Sequence, residues 1–162
     1  MDRMPLLALF LQSMPEEFIV IALGLLLVGY RPPLARLVPV AVLSATASYF
    51  IRALPFPFGV HTLIFVAVTV VLVWLILRIT WRRAVLAVLL GVTLLALVEG
   101  IAIPVITGLT GLSMAQVMSS TWLRILVPWP HMASLGILAW CCWRYRWSLV
   151  QAGREEDEGL PF

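Results

Sequence analysis

Lysine is absent from this 162-residue chain, cysteine occurs only as the adjacent pair Cys141 and Cys142, and charged residues make up just 12%. Each shortage excludes something. The eleven basic residues are all arginine, scattered along the chain, and the net charge is only +3; that is too sparse to neutralise several neighbouring phosphates, so no nucleic-acid partner is expected. Two adjacent cysteines in an apolar aromatic run match neither a disulfide framework nor a zinc-ligand spacing. They read as small buried apolar side chains. Internal repeats and a second domain are missing as well.

What is plentiful is hydrocarbon. Hydrophobic residues account for 62% of the chain and the mean hydropathy is +1.05, whereas soluble domains are roughly 45 to 50% apolar. Apolar runs of about 20 residues recur, the length a helix needs to cross about 30 Å of hydrocarbon. The fold class that follows is all-α: a polytopic membrane helical bundle of about five transmembrane helices plus short interfacial helices, with a membrane domain over 1–147 and a polar cytoplasmic tail over 148–162.

The first span is expected from about Pro15 to Tyr30. Ser13 and Glu16 have capping-box spacing and Pro15 stands where a helix start tolerates proline, so residues 5–12 read as a separate interfacial helix. The competing reading is one helix from Leu6 to Tyr30, kinked at Pro15. "RPPLAR" breaks the chain before a second span from about Leu34 to Leu54, and "PFPFG" before a third from His61 to Leu77. "RITWRR" reads as a basic turn, followed by a fourth span from Ala84 to Ile106 that carries Glu99 and Pro104. Ser113 is a candidate N-cap of a short helix, 120–127 a short helix or partial insertion, and Pro130 to Trp147 the fifth span. No A-x-A-like site follows the first apolar run, so it is not expected to be a removable signal peptide.

Five spans place the termini on opposite sides. With the N-terminus outside, Arg31, Arg36, Arg78, Arg82, Arg83, Arg144, Arg146 and Arg154 lie inside against Arg3, Arg52 and Arg124 outside, the bias of the positive-inside rule. The expected location is a bacterial plasma membrane with a cytoplasmic C-terminus. In that topology Glu16, Glu17, Arg52, His61, Glu99, Arg124 and His131 all fall on the outer side and form a candidate polar cavity. Ionisable groups within a membrane tend to face a bundle interior or wet cavity and to pair with one another. The bland reading of each remains an interfacial marker, a snorkelling arginine, or, for Glu99, an ion pair that fixes helix register. Tryptophans near the span ends, among them Trp74, Trp81, Trp140, Trp143 and Trp147, fit an interfacial belt.

Catalysis finds no footing. Cys141 lies ten residues beyond His131, about 15 Å along a helix, too far to share a proton. His61 and His131 as an axial haem pair have no second motif in support, so neither a cofactor nor a metal is expected.

The segments "MPEEFIVIALGLLLVG", "ASYFIRALPFPFGVHTLI", "LLALVEGIAIPVITGLTGLS" and "LRILVPWPHM" resemble the N-terminal membrane sensor region of bacterial sensor histidine kinases with GHKL-type ATPase domains. The resemblance covers about residues 10–147. It implies a multi-span sensor whose output domain would attach at the cytoplasmic C-terminus. Only fifteen residues follow Trp147, so no autokinase activity is expected. The expected function is a stand-alone sensor or regulatory module whose outer cavity takes a small molecule, peptide or ion and signals to a cytoplasmic or membrane protein partner in trans. A small transporter or its substrate-binding component, and a structural subunit or membrane anchor, are the alternatives.

Overall fold

Gly29, whose φ of +78° leaves the helical region, follows the end of the first long helix at Leu27, close to the expected end at Tyr30, and Pro32 and Pro33 follow before the next helix begins. The computed structural model describes residues 7, 9–55, 59–111 and 113–150. Among them the fold is helical throughout, with α1 at Met14–Leu27, α2 at Leu34–Ala53, α3 at Val60–Leu77, α4 at Trp81–Thr110, α5 at Met114–Ser119, α6 at Thr121–Leu126 and α7 at Trp129–Tyr145. Four stretches are long and apolar enough to cross a membrane: Leu9–Leu27, α2, α3 and α4. The 17-residue α7 reaches about 26 Å, just under the usual hydrocarbon thickness.

The start of the first span differs from expectation. Ser13 is already helical (φ −65°, ψ −41°) and makes no capping hydrogen bond; Leu9–Ser13 instead forms a π-helical turn that runs directly into α1. Proline at position 15 lacks an N–H and its ring crowds the carbonyl four residues back. A wider turn just ahead of it accommodates both defects. The separate interfacial helix expected over 5–12 is therefore not seen across residues 9–12, and residues 5, 6 and 8 lie outside the described part of the chain, as do 56–58 of the "PFPFG" connection and 151–162 of the tail.

The helix α4 is longer than expected. It begins at Trp81, so that Arg82 and Arg83 sit in its first turn, and runs unbroken through Pro104 to Thr110. Its 30 residues span about 45 Å, more than the hydrocarbon needs. Downstream of the proline, the Thr107 hydroxyl donates to the Ile103 carbonyl (2.9 Å) and the Thr110 hydroxyl to Ile106 (2.6 Å). The capping box at Ser113 forms as expected: its hydroxyl accepts from the Gln116 N–H, and its own N–H donates to the Gln116 side chain at 2.8 Å.

The packing centres on α1, which touches α2, α4 and α7, while α3 closes the bundle against α2 and α4. Every residue of α1 from Val20 to Leu27 except Ala22 is buried. The approach to α4 depends on two glycines. A Cβ on Gly24 would strike the Ala87 carbonyl, and one on Gly91 would stand 2.6 Å from the Val20 carbonyl. Lipid tails are as apolar as leucine, so helices associate by close van der Waals packing, which small residues permit. The buried face of α2 follows the same rule, with Ala41, Ser44, Ala45 and Ser48 inside.

Candidate functional site

The antiparallel course of α1 to α4 sorts the charges to two ends. Leu27, Leu77 and Trp143 share one end: the Arg31 guanidinium donates to the Trp143 carbonyl at 2.6 Å, Leu149 N–H donates to Leu27 at 2.8 Å, and Tyr30 OH reaches the Leu77 carbonyl at 3.5 Å. Arg31, Arg36, Arg78, Arg82, Arg144 and Arg146 are exposed around it. Arg78 and Arg146 each cap a helix C-terminus in the left-handed conformation (φ 54° and 57°), where a positive side chain complements the helix dipole.

The opposite end holds the acidic and imidazole groups. Glu16 and Glu17, half-buried in the first turn of α1, lie within electrostatic range of Arg52 at the end of α2. Glu99 of α4 lies within the same range of Glu16 on one side and of His131 on the other. Five of the seven candidate residues, from α1, α2, α4 and α7, thus each lie within electrostatic range of at least one other.

His131 is the most enclosed of them. It is 1% exposed, and neither ring nitrogen has a hydrogen-bond partner among the described residues. Buried polar groups are nearly always satisfied, and an unsatisfied one costs roughly 1–3 kcal/mol. The imidazole therefore brings both a donor and an acceptor to the Glu99 side of the group.

His61 has a different job. Its Nε2 donates to the Leu54 carbonyl at 2.9 Å, tying the start of α3 to the end of α2 across the proline-rich connection. The ring also borders a cavity of about 60 Å³ with Arg52, Ser48 and Thr62, room for a water or a small ion. The backbone of Arg124 lies in α6, and its side chain is outside the described residues.

One member of this end escaped the sequence reading. Gln12 stands one turn before Glu16 with its side-chain carbonyl buried and unpartnered among the described residues. The four-residue spacing from Gln12 to Glu16 was the available signal. A helix boundary placed between the two residues hides it.

Pro104 adds a backbone acceptor. Lacking an N–H, it leaves the carbonyl of Gly100, next to Glu99, without its helical donor. No group of three or more histidine, cysteine or carboxylate side chains among the described residues could hold a metal ion. Cys142 is buried in the apolar contact of α1 with α7, as expected, whereas Cys141, expected to be buried too, is partly exposed because it lies one residue round the helix. Comparison with known protein families, with curated proteins and with solved structures returns no match for this chain, so the likeness to kinase sensor regions rests on the quoted segments alone.

Proposed function

We propose that the chain is a five-span ligand-sensing or regulatory module of a bacterial plasma membrane, with its acidic end outside and its arginine-rich end in the cytoplasm. The observation that carries this reading is the convergence of Glu16, Glu17, Arg52, Glu99 and His131 from four helices on one end of the bundle. Three carboxylates against one described arginine make the group acidic. Its natural ligand is a small molecule or ion that carries positive charge and can hydrogen-bond to an imidazole.

Such a ligand would neutralise Glu99 and Glu16 together and draw α4 towards α1 and α7. The arginine-rich end, where α1 and α7 are tied by Arg31, would pass the change to a partner in trans. Neutralisation of repelling carboxylates gives the ligand different affinities for two arrangements, which any ligand-driven shift requires.

The test is native purification in mild detergent with mass spectrometry of retained small molecules and proteins, on wild type and Glu99→Gln. A compound kept by wild type and lost from the variant supports the reading. Movement of that compound across proteoliposomes would convert it to transport. A stoichiometric protein partner with no retained compound would favour a structural subunit or anchor.

A further inference from the structure

Along the stretch of α1 from Phe18 towards the arginine-rich end, α2 and α7 both lean on α1 but scarcely touch each other. The gap between them is a cleft of about 290 Å³. Its floor is Phe18, Ala22 and Leu26, spaced four residues apart along one face of α1, and Leu37 and Trp140 are among its walls. Arg31 stands at the mouth. Past Leu26 and Arg31, a second cleft of about 330 Å³ adjoins the first and is bordered by Arg31, Arg146, Gly29 and Ser148. The pair of clefts is amphiphilic: a hydrocarbon slot along about 12 Å of helix, opening into a basic compartment.

No acidic residue lines either cleft among the described residues. One bond to the Trp143 carbonyl holds the Arg31 guanidinium in place, and guanidinium has five N–H donors in a planar fork suited to phosphate oxygens. Basic pockets between membrane helices are suited to anionic head groups.

We infer that these clefts form a binding site for one anionic glycerophospholipid, with an acyl chain along Phe18, Ala22 and Leu26 and the phosphate on Arg31 and Arg146. This inference is independent of the sensing role. Charge selects the anionic lipid over a zwitterionic one, and the hydrocarbon slot selects a lipid over free phosphate.

The test uses the full chain, delipidated in detergent and offered equal amounts of palmitoyl-oleoyl phosphatidylglycerol and phosphatidylcholine, with bound lipid counted by native mass spectrometry. One phosphatidylglycerol retained at least fivefold over phosphatidylcholine is expected. Arg31→Gln with Arg146→Gln should bring the two lipids to parity, and Ala22→Phe should lower retention of both severalfold. Arg146→Gln alone, which leaves the Arg31 bond intact, should already halve the preference. Unfolding temperatures within a few degrees of wild type identify the variants that count as folded, and Ala139→Phe replaces Ala22→Phe if that one fails. Equal retention of both lipids by wild type, or release of phosphatidylglycerol by millimolar inorganic phosphate, would overturn the inference. So would phosphatidylglycerol binding that emerges only after removal of 151–162, which would make the acidic tail the occupant.

Discussion

The two ends of this bundle treat charge in opposite ways. At one end six arginines are exposed and two of them, Arg78 and Arg146, cap helix termini; at the other, two half-buried glutamates, a third carboxylate and a fully buried imidazole are held among helices. Exposed arginines at a membrane boundary need no protein partner, because water and head groups solvate them. Buried carboxylates and imidazoles do need partners, so they are retained where they serve a purpose beyond solubility. The lipid contact we infer belongs to the basic end, and the recognition we propose belongs to the acidic end.

The change with the largest expected effect abolishes the distinction by removing the framework that separates the ends. Gly24→Val or Gly91→Val drives side-chain atoms into the facing backbone of the other helix, and a loss of about 3 kcal/mol or more is expected, at or beyond the upper range for overpacking. Denaturant titration in detergent would measure it. Gly100→Ala and Gly108→Ala, where a Cβ meets open space, should be nearly silent controls.

Arg52→Gln tests the acidic end. Glu16 and Glu17 lose the cation within electrostatic range of both, and the expected destabilisation is about 1 kcal/mol at most, since Arg52 itself is exposed. The deficit should be greatest at alkaline pH, where the carboxylates are ionised, and shrink as acid protonates them. Adding Glu17→Gln should recover most of it, a coupling that a double-mutant cycle reads directly.

His131→Leu sharpens the contrast differently. An enclosed imidazole without a described partner gives way to an apolar side chain, so thermal stability should hold or rise by about 1 kcal/mol, while retention of the native ligand falls. Lost stability together with retained ligand would assign His131 to packing. At the basic end, Arg31→Gln removes the bond to Trp143; a loss of about 1 kcal/mol and faster amide exchange near the end of α7 are expected. The smallest effect is Ser113→Ala, about 0.5–1 kcal/mol from the lost capping box, seen as exchange confined to 113–119.

The ends of the spans were legible wherever punctuation is chemical. "RPPLAR" and "RITWRR" combine helix breakers or terminal arginines with flanking apolar runs, and helices stop or start within them. Grouping Glu16, Glu17, Arg52, Glu99 and His131 required only alternating helix direction and residue counting. The first span misled because Ser13 and Glu16 imitate a capping box, whereas Glu16 lies within electrostatic range of Arg52 and Glu99 and Leu9–Ser13 is already helical. The Gly24 and Gly91 contact was not legible, since each glycine alone in a run of leucines and valines is ambiguous until the crossing point is known. The lipid-sized clefts depend on α2 and α7 diverging on either side of α1, which no local pattern encodes.

The crossing of α1 and α4 at Gly24 and Gly91 also makes a fulcrum. Backbone rests on backbone there, so neither helix can sink into the other, and any rotation of one across the other would turn about that point. Glu99 lies eight residues from Gly91 on one arm and Trp81 ten residues away on the other, arms of about 12 and 15 Å. In such a rotation a sideways shift of the carboxylate arm would carry Trp81 and Arg82 the opposite way by a similar distance.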